Sequence, residues 1–105
     1  MAQFTVYRNE NSASSGEFPL LVDVQTDLLE ELGTRVVIPL GEAVELTGFP
    51  TQYLTPLISF EGRRYALLTP QLAGISRDEL GPPAGSLADQ ERVISTAIEF
   101  LLRGF

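Results

Sequence analysis

The sequence predicts a small, mostly β fold: an antiparallel sheet or small barrel with one C-terminal α-helix packed on one side. Short segments in which apolar and polar residues alternate fill the first two thirds of the chain. Glycine and proline separate these segments at short intervals. Clear helical periodicity occurs in the last segment alone. A length of 105 residues fits a single domain spanning residues 1–105.

Five segments are predicted strands, because β-branched, aromatic and other apolar residues recur in them with strand-like spacing. They are Gln3–Arg8, Phe18–Val24, Thr34–Leu40, Leu57–Phe60 and Arg64–Leu68. The polar stretch Asn9–Glu17 predicts a flexible loop or a wide hairpin connection. Glu61-Gly62 predicts a hairpin turn, since glycine supplies a positive φ. Pro39 has no N–H for a ladder, so we expect it at a strand end or on an edge.

The connecting segments are less regular. Thr26–Leu32 predicts a short helical turn that Gly33 ends, and Glu42–Leu46 predicts another turn. Gln71–Leu80 fits neither a strand nor a helix clearly. The run from Gly81 to Gly85, which contains two prolines, predicts a break in regular structure.

The C-terminal segment predicts an amphipathic helix. Ser86 is the expected N-cap, with Asp89 three residues later as the acidic partner of a capping box. Apolar residues recur at helical spacing at Leu87, Ile94, Ala97, Ile98, Leu101 and Leu102. Of these, Ile94, Ala97, Ile98 and Leu101 form the expected buried face. Arg103 lies in the last turn and Gly104 ends the helix. The final residue, Phe105, fits either a plug folded back into the core or an anchor for a partner.

Composition excludes several classes of function. The sequence contains seven arginines, no lysine and fourteen acidic residues, which gives a net charge of −7. This charge disfavours nonspecific nucleic-acid binding. Without cysteine or histidine there is no disulfide, thiolate nucleophile, imidazole base or Cys/His zinc site. The absence of lysine also rules out a GxxxxGK phosphate loop. We therefore expect no metal, no cofactor and no catalytic residues, which favours a protein that acts by interaction.

The remaining candidate clusters have simple structural explanations. The acidic pairs Asp23/Asp27 and Glu30/Glu31 could hold a hard metal or act as paired carboxylates, but a solvated acidic surface is the better interpretation. Arg63-Arg64 could bind an anion, although hairpin positions explain both residues. The serine cluster Ser12, Ser14 and Ser15 has no histidine to activate it, so we interpret it as part of a mobile loop.

Targeting signals are not evident in the sequence. Residues 1–8 lack a basic stretch followed by an apolar run, so they do not resemble a signal peptide. No window approaches the roughly 18 apolar residues that a membrane span needs. We expect a cytoplasmic protein that does not enter a membrane.

The order of several short motifs resembles the CcdB toxin family over the full length of the chain. The motifs are QFTVYR, LLVDVQTDLL, TRVVIPL, LLTPQLAGI and the terminal helix that ends in IEFLLRGF. The VDVQ and VIPL words, at this spacing around an acidic turn, are the most specific part of the resemblance. The loop at Asn9–Glu17 is a few residues longer than is usual in the family.

The resemblance implies a fold, an activity and partners. The fold would be an SH3-like barrel core with a larger antiparallel sheet, a small extra sheet and a C-terminal helix, as in the MazF-like architecture. The protein would be a homodimeric, non-enzymatic toxin of a type II toxin–antitoxin module. It would bind the DNA gyrase A subunit and trap the gyrase–DNA cleavage complex. A CcdA-type antitoxin would neutralise it, and the two together would repress their operon, with operator DNA contacted only through the antitoxin.

The resemblance also implies which residues bind gyrase. They are Gln3, Phe4, Thr26, Leu28, Glu99, Arg103, Gly104 and Phe105. Arg103 is the main departure, because the family has a flat aromatic residue there. A guanidinium group can also stack, so Arg103 fits a role in binding as well as a role at the negative end of the helix dipole.

Two other functions stay open from the sequence. Ribonuclease toxins of the MazF kind share this architecture, and fold alone does not fix function. A basic RNA groove and an acid–base pair would be needed, which the net charge of −7 disfavours. The third possibility is a toxin homologue that has lost gyrase poisoning, which Glu99 and Arg103 suggest.

Overall fold

The computed structural model describes residues 2–11, 13–42 and 53–104. In these ranges the strands are β1 (Thr5–Asn9), β2 (Leu20–Asp23), β3 (Thr34–Glu42), β4 (Leu57–Phe60), β5 (Arg63–Leu67), β6 (Ala73–Ser76) and β7 (Leu80–Ser86). One α-helix, α1 (Glu91–Arg103), follows them. The mostly β fold with a C-terminal helix is thus confirmed. The predicted turn after Glu42 and the terminal Phe105 lie outside the described residues.

The strands form one curled antiparallel sheet in the order β4-β5-β3-β2-β1-β7, with β6 paired to β3 as well. Strand β3 is central, since it pairs along one side with β2 and along the other with β6 and then β5. The hairpin β4–β5 bonds onto the end of β3, so the small extra sheet that the resemblance implies is continuous here with the larger one. Its turn is as predicted, with positive φ at Glu61 (50°) and Gly62 (77°).

The core lies on one face of the sheet and follows from the period of two along each strand. Its buried members on the strands include Val6, Leu20, Val22, Ile38, Leu40, Ile58, Phe60 and Leu67. Ile94 and Ala97 of α1 complete it, together with Leu87 just before the helix. The opposite face is also buried near its centre, at Tyr7, Leu21, Asp23, Arg35 and Val37.

The helix begins later than the sequence predicts. Ser86 accepts a hydrogen bond from the Ala88 N–H (3.1 Å), but a 3-10 turn over Ala88–Gln90 intervenes before α1 starts at Glu91. Gln90 then fixes the helix to the edge strand β4: its Nε2 donates to the Ser59 carbonyl (2.7 Å), and its Oε1 accepts from the Ser59 N–H (3.2 Å). The predicted stop at Gly104 is confirmed, with φ at 81°.

The predicted break at Gly81–Gly85 is wrong, because these residues form most of β7. Strand β7 pairs with β1 at one end of the sheet order, and its register shifts twice along that pairing. The outer side of an edge strand needs no ladder donors, and the register shifts on either side of the Tyr7–Pro83 pair interrupt the ladder on the inner side, so the two adjacent prolines are accommodated together. Gly81 is needed there because a Cβ would lie 2.6 Å from the Arg8 carbonyl oxygen.

Pro39 lies inside β3, not at a strand end or on an edge. It is paired with Leu21 of β2, and its carbonyl accepts from the Leu68 N–H (3.0 Å) on the other side. That second side is where β3 changes partners: its pairing with β6 ends at Val37 and its pairing with β5 begins at Leu40. The proline therefore occupies a gap in the ladder where a missing N–H costs no strand hydrogen bond.

The apolar face of α1 is shorter than the periodicity predicts. Ile94 and Ala97 are fully buried and Ile98 is partly buried, as expected. Leu101 is 37% exposed, so its assignment to the buried face is wrong, and the neighbouring Leu102 is 74% exposed. The last turn of α1 thus presents apolar side chains to solvent.

Candidate protein-binding surface

The connection between β2 and β3 exposes three leucines. A 3-10 turn over Asp27–Leu29 opens this connection, and the Thr26 hydroxyl accepts the Leu28 N–H (3.3 Å) at its start. Leu28 is 91% exposed, and Leu29 and Leu32 are each 47% exposed. We refer to residues 26–33 as the leucine turn. An exposed cluster of large apolar side chains on a loop is typical of a protein-binding surface.

The leucine turn is held from beneath by the side chain of Gln25. Its Nε2 donates to the Leu29 carbonyl (3.0 Å), while its Oε1 accepts from the Val36 N–H on β3 (3.0 Å). Gln25 is itself buried, and its N–H donates to Asp23 Oδ1 (3.0 Å). The turn is therefore hydrogen-bonded to both strands that it joins.

A buried ion pair lies under Gln25. Arg35 Nε donates to Asp23 Oδ2 (2.8 Å), Arg35 Nη2 lies 2.7 Å from the same oxygen, and both side chains have no solvent exposure. Arg35 Nη2 also lies 3.4 Å from the Gln25 carbonyl oxygen. In the described part of the chain, Arg35 Nη1 is buried without a hydrogen-bond partner. The pair therefore fixes the ends of β2 and β3 where the leucine turn leaves the sheet.

Two further segments hold the leucine turn from its sides. The Gln3 N–H donates to Asp27 Oδ1 (2.7 Å), and Gln3 Nε2 donates to the Val24 carbonyl (3.0 Å). From the other side, Arg77 Nη1 donates to the Glu30 carbonyl (3.0 Å), and the Arg77 N–H donates to the Gly33 carbonyl (3.0 Å). The exposed leucines thus sit on a hydrogen-bonded frame, which lowers the entropic cost of binding a partner.

The structure brings together at the leucine turn three of the eight residues that the resemblance implies for gyrase binding. Gln3, Thr26 and Leu28 lie in or against the leucine turn. Phe4 is 5% exposed and packs in the core, with a left-handed backbone (φ 70°) and its N–H bonded to the Asp23 carbonyl. Phe4 therefore anchors the start of β1 behind the turn.

The other expected residues lie at the end of α1. Glu99, Arg103 and Gly104 are exposed, and Phe105 lies outside the described residues. The neighbouring Phe100 stacks on Tyr53, with ring centroids 6.0 Å apart. This contact holds the end of the helix against the segment that precedes β4.

The interpretation of Asp23 as part of a solvated acidic surface is wrong, since Asp23 is fully buried. Asp27 is exposed, as are Glu30 and Glu31, so the interpretation holds for the rest of that group. Sequence reasoning also missed Gln25 and Arg35 as supports of the turn. A signal was present: Asp23 shares its strand face with the apolar Leu21, where a lone charge needs a partner.

Tyr7 lies on the same sheet face as this ion pair. Burial raises the pKa of the Tyr7 hydroxyl above its usual value, and the negative charge of Asp23 adds to the rise. Hydrogen bonding to Thr5 and the charges of Arg35 and Arg77 oppose it. The neutral phenol is therefore the form that the fold favours.

Other kinds of site find no support in residues 2–11, 13–42 and 53–104. No group of three or more acidic side chains there is arranged to hold a metal ion. Among the helices of those same ranges, none combines the length and the apolar character that a membrane crossing requires.

Comparison with known proteins places this surface in a family context. The family model described as CcdB protein matches residues 3–104. Among solved structures, the fold is similar to that of an endoribonuclease from Mycobacterial species, solved in complex with its cognate antitoxin. The TM-score is 0.70 at 17% sequence identity, and the match covers 97% of this chain and 94% of that chain. At this level of identity the likeness concerns the fold.

Proposed function

The chain belongs to the CcdB family of toxins from toxin–antitoxin modules, and from this premise we propose that it is a cytoplasmic gyrase poison. In this function the toxin binds the DNA gyrase A subunit and traps the cleaved-DNA complex by protein–protein contact, without catalysing a reaction. A CcdA-type antitoxin neutralises it.

The leucine turn is the observation that supports this proposal most directly. Leu28, at a position where the family resemblance implies gyrase contact, is 91% exposed on a turn held by Gln25, Gln3 and Arg77. The frame keeps the Leu28 side chain in water, where it contacts almost nothing within its own protein. A partner can therefore bury this side chain without breaking contacts in the core. A few well-placed side chains carry most of the energy of a protein–protein contact, and we propose that Leu28 is one of them here.

A gyrase assay tests the proposal. Purified protein is added to gyrase and plasmid DNA, and both loss of supercoiling and accumulation of cleaved DNA are measured. We expect both, with cleavage reversed when the cognate antitoxin is added. Normal supercoiling at a large molar excess of the toxin would contradict gyrase poisoning and favour a homologue that has lost it.

Ribonuclease activity is the second candidate, because the similar mycobacterial structure is an endoribonuclease. At least three of the seven arginines already contact other groups of the protein. Arg35 forms a buried ion pair with Asp23, Arg63 lies 3.6 Å from Glu42, and Arg77 donates to the Glu30 carbonyl of the leucine turn. An RNA groove built from the others would work against a net charge of −7. Cleavage of a mixed-sequence RNA by the same preparation, with gyrase unaffected, would favour this candidate.

The family also implies a homodimer, and exposed apolar side chains at Tyr53 (54%), Leu57 (46%) and Leu102 (74%) are compatible with one. We expect a dimer mass by light scattering at micromolar concentration; a monomer mass throughout that range would contradict it.

For the antitoxin, we expect a segment that is unstructured alone and gains helix on binding. Circular dichroism of the mixture, compared with the sum of its components, measures that gain.

A further inference from the structure

A second surface, which shares no residue with the leucine turn, is an apolar pocket beside the loop that joins β1 and β2. Its cavity volume is about 200 Å³. Its floor is made by Leu21, Val37 and Pro39, and Ala73 and Ile75 of β6 line one side. A cavity of about 150 Å³ is enough to hold a benzene ring. The pocket is therefore large enough for one aromatic or branched apolar side chain.

The wall opposite β6 is a hydrogen-bonded loop. Asn9 Nδ2 donates to Ser14 Oγ (3.0 Å) and to the Phe18 carbonyl (2.8 Å), and Asn9 Oδ1 accepts from the Asn11 N–H (3.0 Å). These contacts satisfy the side-chain amide of Asn9 within the wall and fix the position of the wall relative to β1. A preformed cavity costs its ligand little ordering entropy.

The mouth of the pocket is acidic. A second depression, of about 260 Å³, is lined by Glu10, Asn11, Asp78 and Glu79, and it shares Asn11 and Glu79 with the apolar pocket. Three carboxylates therefore lie next to an apolar cavity. This arrangement repels phosphates and anionic lipid headgroups, and it favours a basic group beside an apolar one.

We propose that this pocket binds a peptide segment of a partner protein in which a bulky apolar side chain is flanked by arginine or lysine. The apolar side chain fills the cavity over Leu21 and Val37, and the basic side chain meets Glu10, Asp78 and Glu79. A peptide fits better than a small apolar molecule because the two adjoining depressions require an apolar and a cationic group on one backbone.

Two capped tripeptides test the proposal on the full chain. N-acetyl-Arg-Phe-Arg-amide and N-acetyl-Glu-Phe-Glu-amide are titrated to about 10 mM, and the backbone amide shifts of Asn11, Ala73 and Ile75 are followed by NMR. We expect saturable shifts with the basic probe, because one anchored side chain supports millimolar affinity. We expect the acidic probe to bind at least about tenfold more weakly.

Ala73→Phe fills the cavity from its own wall, and Ala88→Phe is the matched control at an exposed position outside the pocket. We expect the first variant to lose binding of the basic probe at least about tenfold and the control to retain it. Replacing Glu10 and Asp78 by their amides should weaken binding of the basic probe and reduce its salt dependence, with Glu79 still charged. The control variant replaces Glu61 and Glu91 by their amides, which removes the same charge outside the pocket.

The proposal is overturned if the basic probe gives no shifts, if both probes bind equally, or if Ala73→Phe binds like the native chain. It is also overturned if Ala73→Phe changes the mass in light scattering, since the occupant would then be a second copy. Peptide binding is measured without gyrase. A negative result here and a negative supercoiling assay are therefore distinguishable.

Discussion

Arg35 and Asp23 form a fully buried ion pair, with Nη2 of Arg35 2.7 Å from Oδ2 of Asp23, directly under the turn that carries the exposed leucines. Neither partner reaches solvent, so the loss of one would leave the charge of the other buried without a counter-charge. Substitution of Asp23 or Arg35 therefore tests both the stability of the fold and the support of the leucine turn.

Asp23→Ala should lower the free energy of unfolding by about 3–5 kcal/mol, because it leaves the Arg35 guanidinium buried without a counter-charge. The double variant Asp23→Leu/Arg35→Met should recover much of this loss, since apolar side chains can replace a buried pair at little cost. Urea unfolding of the three proteins measures the difference. Equal losses in the single and double variants would show that the Coulombic pairing is not the stabilising contact.

The exposed side chain of Leu28 should matter to binding and not to folding. Leu28→Ser should change the free energy of unfolding by no more than about 0.5 kcal/mol, because the side chain is 91% exposed. Loss of an apolar anchor worth about 2 kcal/mol should raise the concentration for half-inhibition of gyrase roughly thirtyfold. Val93→Ser, at a 41% exposed valine in the first turn of α1, is the matched control, since Val93 belongs to neither candidate surface. An unchanged inhibition curve for Leu28→Ser would remove the leucine turn from the gyrase contact.

Much of the sheet was predictable because the strands that carry the core alternate with a period of two. Val6, Leu20, Val22, Ile38 and Leu40 lie on one face, as the pattern requires. Strand β7 was not predictable in this way, because its sequence LGPPAGS has low strand propensity. It forms a strand because it pairs with the free edge of β1.

For the candidate site as well, only some of the residues could be predicted from the sequence. Leu28 follows from family resemblance, since a single exposed leucine in a short turn has no local signature of its own. Asp23 and Arg35 are twelve residues apart, and their pairing depends on the register of β2 against β3. Composition cannot supply that register, so a buried ion pair and a solvated acidic residue look alike in the sequence.

The first glycine of β7 should be intolerant of a side chain. A Cβ at Gly81 would lie 2.6 Å from the Arg8 carbonyl oxygen, so Gly81→Ala should cost about 1–3 kcal/mol by forcing β7 away from β1. Gly74→Ala on β6 is the matched control, since nothing lies within 4 Å of its added Cβ. Thermal melts compare the two, and similar melting temperatures would contradict the close approach of β7 to β1.

Tyr7 should make the fold sensitive to alkali. Its pKa is raised in the folded protein by burial and by the charge of Asp23, so the unfolded chain loses the phenol proton at lower pH than the folded one. The stability contributed by the neutral phenol is complete below the ordinary pKa of 10.0 and is lost as pH rises through the folded value. Melting temperatures between about pH 8 and 11 should fall less steeply for Tyr7→Phe than for the native protein. Parallel slopes would show that Tyr7 is not the group responsible.

The end of α1 should contribute to function and little to stability. Leu101, Leu102 and Arg103 are exposed, and the helix is closed by the Gly104 N–H bonded to the Phe100 carbonyl (2.9 Å). Glu99 and Arg103 are four residues apart in the helix and both are exposed, and an ion pair at that spacing would be worth at most about 0.5 kcal/mol. Arg103→Glu should therefore lower the melting temperature by less than about 4 °C.

The same substitution should abolish gyrase inhibition if the tail is part of the contact, because it reverses the charge of a residue within that contact. Arg92→Glu, at an exposed arginine in the first turn of α1, is the charge-matched control and should inhibit normally.

Deleting Phe105 separates its two possible roles: loss of inhibition with an unchanged melting temperature identifies a binding anchor. A melting temperature lower by many degrees would instead identify Phe105 as a plug of the core, and full inhibition by both variants would exclude the tail from the gyrase contact.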